Sequence, residues 1–330
     1  DRTSGTAGGA VDLSGGTGGA SAFSMAMDTA TVSVVPTGGG AGQGLGFAFG
    51  IDGLSTAGRT VATDTAGSTV LVGDFSGTID VDPSAATVNV SVGGGSGVFV
   101  TKYDQDGSLV WARSLGGSTS AEVGQAHGVA IDGAGNVITV GCFLGTFDFD
   151  PGPETYHLTN DYPGDLFISK LDSAGNFVWA RNIGGNNANI PCGSYVGPGV
   201  ALDASGNVHV SVALSSTEDI ETGPGAYTLT SAGGGSYGSD VFVLKLDSDG
   251  DVAWARRMGG GGDADGAAID VDSLGNVVTG GGFFGTADFD PGSGVHNLSS
   301  RGPMDAFVSK LSCSGSFVWA RQLGGSDGEE

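Results

Sequence analysis

One string of residues recurs four times along the chain, and it limits what the chain can fold into more than any other feature. Its first copy covers residues 99–113, and the later copies begin at Phe167, Phe242 and Phe307. Self-similarity at a spacing of about 65 to 75 residues indicates a repeat architecture. It also speaks against an enzyme, because a catalytic group is normally needed once and these groups occur four times. The copies contain every tryptophan and every lysine of the chain: Trp111, Trp179, Trp254, Trp319, Lys102, Lys170, Lys245 and Lys310.

Each repeat divides into two hairpins. In the second repeat these cover residues 129–140 and 166–181, and each has an Asp-x-x-Gly-Asn segment between apolar arms. The glycine of such a segment can adopt a positive φ, and the Asp or Asn side chain can bond the backbone of the turn. Two hairpins give four antiparallel strands, which is one blade of a β-propeller. The sequence therefore predicts an all-β fold, a β-propeller with four visible four-stranded blades.

Composition and charge narrow the class of protein. The chain has 330 residues, and its 65 glycines lack the every-third spacing of collagen. No apolar run approaches the roughly 18 residues needed to span a bilayer, so we expect no membrane insertion. Twelve basic and 36 acidic residues give a formal net charge of −24, which argues against nucleic acid as a partner. The acidic exterior suits a secreted protein, extracellular or at the cell surface, and equally suits plain solubility through self-repulsion.

The units resemble the SBBP-type β-propeller repeats of secreted bacterial proteins. In the second repeat the matching segments are Gly-Asn-Val at 135–137, Asp-Phe-Asp-Pro-Gly at 148–152, Asp-x-Phe-x-x-Lys-Leu-Asp at 165–172 and Phe-Val-Trp-Ala-Arg at 177–181. The resemblance covers about residues 58–325. It implies the propeller fold and little about activity, since such repeats occur in large surface and secreted proteins. The third repeat departs from the pattern, with residues 215–225 in place of the Asp-Phe-Asp-Pro segment.

The pattern predicts two regions. Residues 1–57 form a Gly-rich N-terminal arm, and residues 58–330 hold the repeats, at approximately 58–127, 128–199, 200–265 and 266–330. Within the arm, residues 21–35 form an apolar alternating strand that has no obvious partner in its own unit. This strand either closes the ring of its own chain or adds to a sheet edge of a neighbouring subunit, and both alternatives stay open. The side chains of the candidate assembly strand are Phe23, Met25, Met27, Val32 and Val34.

Calcium is the clearest chemical hypothesis. Three repeats carry Asp-x-Asp-Pro, in which carboxylates at i and i+2 on an extended segment point the same way. Hard oxygen ligands at this spacing suit calcium. The alternative is that Asp and Gly here serve tight turns, and no segment has the bidentate acid that ends an EF-hand loop. The candidate ligands are Asp80, Asp82, Asp148, Asp150, Asp288 and Asp290, with the weaker set Asp247, Asp249 and Asp251.

The repeated Trp-Ala-Arg segments allow two interpretations. Tryptophans can stack on sugars and arginines can bind anions, but large aromatics repeated in every blade are better explained by packing between adjacent blades. In that interpretation each arginine can reach a carboxylate of the next blade, and its stem adds packing area. We therefore predict a blade-packing role for the four tryptophans, the four lysines and the arginines Arg113, Arg181, Arg256 and Arg321.

Other motifs are weak. The four histidines share no metal-ligand spacing, and neither a serine nucleophile elbow nor a phosphate loop occurs. Cys142 and Cys192 can be bridged in an oxidising compartment, but we favour Cys142 as a buried apolar residue. The irregular segments at residues 186–195 and 215–238 are the candidates for recognition of a ligand, because loops on a rigid scaffold usually carry it.

These observations favour a non-enzymatic extracellular structural or adhesive protein. We expect it to associate with itself, as a homo-oligomer or as a filament built by donation of the N-terminal strand. The alternative is a secreted ligand-binding propeller module that binds a polysaccharide through the irregular loops. Calcium is the one cofactor that the sequence suggests.

Overall fold

The computed structural model of the chain describes residues 30–34, 47–51, 56–117, 119–184, 197–215, 217–222, 225–232 and 238–326. Within these ranges every helix or strand is a β-strand, and there is no helix. The strands form antiparallel sheets, among them four sets of four strands that follow the four repeats. The expectation of an all-β fold with four-stranded repeat units is therefore confirmed.

The first two strands form a small sheet of their own. Val32 lies opposite Phe49, and Val34 lies opposite Phe47, in antiparallel register. The expectation that this segment has no obvious partner in its own unit is therefore wrong for residues 30–34, because a second apolar alternating segment follows closely enough in the sequence to pair with it. Phe23, Met25 and Met27 lie outside the described residues. The two strands are β1 (Ala30–Val34) and β2 (Phe47–Ile51).

Four units follow. Each has four strands in sequence order in one sheet, and a smaller hairpin between its second and third strands, called here the side hairpin. In the first unit the sheet order is β3-β4-β7-β8, and the side hairpin β5–β6 forms a separate two-stranded sheet. The strands of this unit are β3 (Thr56–Thr63), β4 (Thr69–Phe75), β5 (Thr78–Asp80), β6 (Asn89–Ser91), β7 (Gly97–Tyr103) and β8 (Leu109–Leu115).

The second unit has no separate side hairpin, because its two middle strands are long and their far ends form it: Gly145 to Asp148 pair with His157 to Asn160. The strands of the second unit are β9 (Val123–Ile131), β10 (Val137–Asp148), β11 (His157–Leu171) and β12 (Phe177–Gly184). The strands of the third unit are β13 (Gly199–Leu202), β14 (Val208–Leu214), β15 (Thr217–Thr222), β16 (Gly225–Thr230), β17 (Asp240–Leu246) and β18 (Val252–Gly260). The strands of the fourth unit are β19 (Ala264–Val271), β20 (Val277–Phe283), β21 (Thr286–Asp288), β22 (Asn297–Ser299), β23 (Asp305–Leu311) and β24 (Phe317–Leu323).

The third unit keeps the side hairpin although its sequence lacks the Asp-Phe-Asp-Pro segment. Strands β15 and β16 pair over six residues, from Thr217 opposite Thr230 to Thr222 opposite Gly225. A tight hairpin with threonines at both ends, where β-branched residues suit extended backbone, replaces the longer Asp-containing loop of the other units. The departure in sequence is therefore a difference in loop design and leaves the arrangement of strands intact.

A short turn joins the third and fourth strands of every unit, and it is called here the tip turn. In the first unit Asp104 Oδ1 accepts hydrogen bonds from the backbone N–H groups of Asp106 and Ser108 at 3.0 and 2.9 Å. The glycine at its fourth position has φ of +81°, a conformation that costs other residues about 1 kcal/mol or more. The tip turns are residues 104–108, 172–176, 247–251 and 312–316.

Three of the four buried clusters of the core lie between units, and the fourth lies within the first unit. One buried cluster joins Val70 and Val98 of the first unit to Phe143 and Phe147 of the second. Similar clusters join the second unit to the third and the third to the fourth. The third strand of the first unit is buried along its whole length, Thr101 and Lys102 included, since both its faces are covered. As in other repeat proteins, most of the stabilising burial therefore depends on a neighbouring unit.

Packing between units follows the order of the chain. Strand β3 packs against β9, β9 against β13, and β13 against β19, so the first strands of consecutive units are neighbours. Among the described residues no comparable contact joins β3 of the first unit to β19 of the fourth. The first and the fourth unit therefore each have one neighbour in this array, while the middle units have two.

Candidate functional site

The repeated tryptophan marks the junction between one unit and the next. Trp111 Nε1 donates a hydrogen bond to the backbone carbonyl of Ser173, in the tip turn of the second unit, at 3.0 Å. Trp179 Nε1 donates in the same way to Ser248 O at 3.0 Å, and Trp254 Nε1 donates to Cys313 O at 3.2 Å. The three side chains are between 5 and 8 % exposed. Each tryptophan thus reaches the second residue of the next tip turn.

The arginine two residues later binds the same turn. Arg113 Nε donates to Gly175 O at 2.7 Å, and its Nη2 donates to Ala174 O at 2.9 Å. The guanidinium carbon lies 5.6 Å from the centroid of the Trp111 ring, a cation–π distance. Arg181 and Arg256 repeat all these contacts with the third and fourth units.

The structure differs here from the carboxylate contact expected for the arginines. Their main partners are backbone carbonyls, because a tip turn with a left-handed glycine directs successive C=O groups outward. One carboxylate takes part, with Arg181 Nη2 lying 3.6 Å from Asp251 Oδ1. The tryptophan and arginine of one unit therefore recognise the backbone of the next unit's tip turn more than its side chains. The residues that supply the carbonyls were not predicted as acceptors of these bonds, since a backbone acceptor leaves no mark on the sequence.

The lysines act mainly within their own units. Lys245 Nζ lies 2.9 Å from Asp203 Oδ2, and Lys310 Nζ lies 2.7 Å from Asp272 Oδ2; both aspartates belong to the turn of the first hairpin. Lys102 and Lys170 lie farther from the corresponding aspartates, at 3.6 and 3.9 Å. Lys170 Nζ instead donates a hydrogen bond to Ser248 O, in the tip turn of the third unit, at 3.1 Å, and so also binds the next unit. Burial opposes ionisation of Asp203, but hydrogen bonds from Asn207 and Lys245 outweigh it and hold the pKa of this carboxyl well below its usual range. The lysines thus join the two hairpins of one unit.

The side hairpin of each later unit extends the sheet of the unit before it. Gly116 and Asp148 exchange two backbone hydrogen bonds of 3.1 and 3.2 Å between the first and second units. Gly184 is paired with Asp219 in the next junction, and Gly259 with Asp288 in the third. The fourth strand of each of the first three units thus gains a strand partner from its successor.

The fourth unit has the same groups, and no further unit lies among the described residues. Among the described residues Trp319 Nε1 has no hydrogen-bond acceptor, and Arg321 donates only to the carbonyl of its neighbour Ala320, at 2.7 Å. Leu323 is 59 % exposed, whereas the corresponding Leu115, Ile183 and Met258 are at most 1 % exposed. This set, Trp319, Arg321 and Leu323, is called here the free face of the fourth unit.

The Asp-x-Asp pairs fold the loop at the end of each side hairpin. Asp148 Oδ1 accepts from the N–H groups of Asp150 and Tyr156 at 3.0 and 2.9 Å, and Asp150 Oδ1 accepts from Gly152 N at 2.7 Å. Asp80 with Asp82, and Asp288 with Asp290, make the same contacts in their units. In the part of the chain that the structure describes, no three acidic, histidine or cysteine side chains form a group suited to a metal ion. Calcium binding at these loops stays a prediction.

The weaker set of acids belongs to the third tip turn. Asp247 Oδ1 accepts from the N–H groups of Asp249 and Asp251, at 3.0 Å each, so that it closes the turn as Asp104 does in the first unit. Asp249 contributes its backbone carbonyl to Arg181. The role of these residues in the structure is therefore to shape a tip turn and to bind the preceding unit.

A buried aspartate that the sequence analysis did not single out stands at the start of the third strand in the third and fourth units, and within the long third strand of the second unit. Asp240 is fully buried, and it accepts hydrogen bonds from Ser231 Oγ, Arg257 Nη1 and Gly260 N at 3.1, 3.0 and 2.9 Å. Asp165 and Asp305 are the counterparts, at the Asp of the repeated Asp-x-Phe segment. The opposing residue is a glycine in each case, because a Cβ there would meet the carboxylate within about 2.4 Å or less.

Two cysteines are described. Cys142 is buried, as expected, but it is also disulfide-bonded, the account that the sequence analysis had not favoured. Cys313 is a free, exposed thiol. Cys192 and the candidate recognition loop at 186–195 lie outside the described residues. Of the second candidate loop, the described parts are mainly the side hairpin β15–β16.

One histidine has a shifted pKa. Burial, with a smaller contribution from Arg59, lowers the pKa of His127 to about 4.

A cavity of about 440 Å³ lies at the third junction, lined by Arg256, Phe317 and the loop that follows Asp290. Arg256 is already bound to the tip turn of the fourth unit there. Within the described ranges, no helix is long and apolar enough to cross a membrane.

Comparisons with known proteins give distant similarities. No family model matches the chain. It is 27 % identical over 130 residues to an uncharacterized WD repeat-containing protein, L264, of Acanthamoeba polyphaga mimivirus, which covers 37 % of this chain and 9 % of that protein. It is 25 % identical over 191 residues to the regulatory protein FlaEY of Caulobacter vibrioides, which covers 55 % of this chain and 19 % of that protein. The chain thus spans less than a fifth of the length of either relative.

Proposed function

We propose that this chain is an SBBP-type propeller array that acts as a non-enzymatic extracellular structural or adhesive protein and associates with itself. Its units carry junction-forming groups in identical positions, and the relative from the mimivirus is named for WD repeats, which form the blades of propellers. The side chains that recur at the same position of every unit serve to join one unit to the next. A protein made of such units has a structural task rather than a chemical one.

The free face of the fourth unit is the observation that carries this proposal. Three junctions within the chain bury a large apolar side chain and satisfy one indole N–H and one guanidinium, whereas on the free face Leu323 and Arg321 are exposed and Trp319 is partly buried. Exposed groups whose equivalents are buried elsewhere in the same molecule mark a surface that binds something similar. A unit of the same kind meets that requirement.

Two further features support an extracellular location. Cys142 is disulfide-bonded, and structural disulfides persist in oxidising compartments. The net charge of −24 keeps such a protein soluble at a surface, and it disfavours nucleic acid as a partner. Calcium, as a cofactor of the Asp-x-Asp loops, belongs to the same proposal and has its own test below.

The test is the mass of the full chain in solution as a function of concentration, measured by sedimentation velocity together with negative-stain imaging. The proposal predicts rings or linear arrays, which grow with concentration. A monomer at every concentration would contradict it, and the alternative of a polysaccharide-binding module would then be examined by measuring binding to a panel of polysaccharides.

A further inference from the structure

The cavity of about 440 Å³ at the third junction is formed by residues of two units. Arg256 lies on β18 of the third unit, whereas Phe317 lies on β24 of the fourth. The loop between β21 and β22, which contains Asp290, forms a further wall. The volume is within the range of about 300 to 1,000 Å³ that is usual for sites of small ligands. The cavity therefore has the size of a binding site, and its lining determines which ligand it suits.

Arg256 contributes hydrogen-bond donors to this cavity. Its Nε, Nη1 and Nη2 donate to Gly315 O, Ala255 O and Ser314 O at 2.9, 2.8 and 3.1 Å. An arginine has five N–H groups, so two remain without an acceptor among the described residues. The three bonds already fix the guanidinium, so a ligand that accepts from the other N–H groups does not have to order this side chain first.

Asp290 contributes an acceptor to the same cavity. Its Oδ1 accepts a hydrogen bond from Gly292 N at 2.8 Å, whereas its Oδ2 accepts none among the described residues. A Cβ on Gly294 would stand 2.2 Å from Oδ2. The first and second units have Ala86 and Glu154 at the position of Gly294. The carboxylate of Asp290 therefore takes a place that a side chain at residue 294 would exclude.

Phe317 gives the cavity an aromatic wall. It is half-buried, and the centroid of its ring lies 4.8 Å from that of the His296 imidazole. Ser293 and Ser316 add exposed hydroxyl groups to the lining. An apolar ring beside a few donors and acceptors matches a sugar residue, whose C–H face is apolar and whose hydroxyls both donate and accept.

The charges around the cavity favour an uncharged ligand. Arg256 and Asp290 carry opposite charges in the same cavity, so a neutral ligand can bond both and leave neither charge uncompensated. The chain as a whole has a formal net charge of −24, which repels acidic polysaccharides. The ligand class that fits both facts is a neutral saccharide.

We propose that the cavity at the third junction binds one sugar residue of a neutral polysaccharide. Hydroxyls of the sugar donate to Asp290 Oδ2 and accept from Arg256, and its C–H face packs on Phe317. This site is separate from the irregular loops at residues 186–195 and 215–238. The inference adds a ligand to the proposed adhesive function, and it does not depend on self-association.

The experiment is affinity electrophoresis of the full chain in gels that contain dextran, mannan, galactan, inulin or heparin. At least one of the four neutral polysaccharides should retard the chain, with calcium and with chelator alike, and heparin should not. No retardation by any of the four, or retardation by heparin alone, would overturn the inference. Loss of retardation in chelator would also overturn it, because a cation rather than direct contact would then hold the sugar.

Two variants test the polar and the aromatic wall. Asp290→Asn keeps an oxygen for Gly292 N but replaces Oδ2 by a donor, and Phe317→Leu installs the residue that the first unit has as Leu109. Each should raise the dissociation constant about tenfold or more, as expected for a lost charged hydrogen bond or a lost stacking ring. The matched controls are Asp150→Asn and Phe177→Leu, at the same positions of the second unit, and they should bind like the natural chain.

Gly294→Ala gives a third test that alters no bonding group. Its Cβ would displace the Asp290 carboxylate, and the loop tolerates the change because the first unit has Ala86 there. Binding should again fall about tenfold or more, with unchanged circular dichroism. Full binding by Asp290→Asn and Phe317→Leu, or an equal loss in their second-unit controls, would overturn the inference. The mass of the chain in solution is measured separately, so failure here leaves self-association standing.

Discussion

Gly250 lies against the indole of Trp179 so closely that a Cβ on Gly250 would stand 2.8 Å from Cδ2 of the ring. The glycine also has φ of +82°. The turn therefore needs its backbone conformation, and the indole needs the space that a side chain would fill. Gly175 faces Trp111, and Gly315 faces Trp254, in the same way. The glycine of the tip turn therefore serves the junction as much as the turn.

Replacing this glycine should separate the two roles. We expect Gly250→Ala to lower the free energy of unfolding by about 2 to 4 kcal/mol, from backbone strain together with displacement of the indole. Gly77→Ala is the matched control, because φ is +73° there but nothing lies within 4 Å of the added Cβ; it should cost about 1 kcal/mol. Urea denaturation measures both, and equal losses would show that the contact with Trp179 contributes nothing.

The arginines provide a second matched pair. Arg256 Nε and Nη2 donate to Gly315 O and Ser314 O at 2.9 and 3.1 Å, so Arg256→Ala should cost about 2 to 3 kcal/mol through lost charged hydrogen bonds and the lost stacking on Trp254. Arg321→Ala removes a bond to the neighbouring carbonyl alone. In dilute solution, where chains are separate, it should change the thermal midpoint by less than a degree or two. A large effect of Arg321→Ala there would contradict this account of the free face.

His127 should make stability depend on pH. Its pKa of about 4 in the folded protein is below the ordinary value of 6.5, so between these values the unfolded chain binds more protons. The contribution is fully present above about pH 6.5 and is lost as the pH falls towards 4, by about 3 kcal/mol in total. Urea denaturation at several pH values between 4 and 7 gives the free energy of unfolding as a function of pH. This free energy should depend less steeply on pH in His127→Gln than in the natural chain. Identical slopes would refute the burial of a neutral imidazole.

The disulfide at Cys142 should stabilise the second unit and its junction with the third, since Cys142 belongs to the buried cluster that joins them. Reduction is expected to cost about 2 to 4 kcal/mol and to lower the thermal midpoint by several degrees. Cys313→Ser is the control, because this exposed thiol is free. Its midpoint should fall with reductant just as that of the natural chain does. An unchanged midpoint of the natural chain in reductant would count against the bridge.

Calcium binding at the Asp-x-Asp loops predicts a higher thermal midpoint in calcium than in chelator. Asp150→Asn should reduce that difference, because it removes a carboxylate at one of the three loops, whereas Asp106→Asn in a tip turn should leave it unchanged. The loops already fold through hydrogen bonds from backbone N–H groups, so the protein should remain folded in chelator. Equal midpoints in calcium and chelator would end the calcium hypothesis.

The recurring string was enough to predict the four units, their antiparallel hairpins and the turn residues, because each of these leaves a side-chain pattern. The acceptors at the junctions could not be predicted in the same way. Ser173, Ser248 and Cys313 contribute carbonyls, and a backbone group is the same whatever residue carries it. A carboxylate was expected as the partner of the arginines because a sequence shows only side-chain acceptors.

Two other differences have separate physical causes. The strand at residues 30–34 was expected to have no obvious partner in its own unit, because pairing with β2 adds no motif beyond two ordinary apolar alternations. The burial of Asp240 was not predicted, because an aspartate beside a strand is usually a turn residue. Its burial became evident only with the opposing Gly259, whose Cβ would stand 1.8 Å from Asp240 Oδ1.

Recognition of tip turns through their carbonyls makes the units interchangeable. The turns that receive the tryptophans and arginines differ in their second and third residues, Ser173 and Ala174 in one and Cys313 and Ser314 in another, yet the bonds are the same. A gene can therefore gain or lose a whole repeat without needing compensating substitutions at the new boundary. Changes in the second and third residues of the turn are compatible with these bonds as long as its glycine and the polar first residue that closes it remain. An array of this kind can evolve by duplication in steps of one unit.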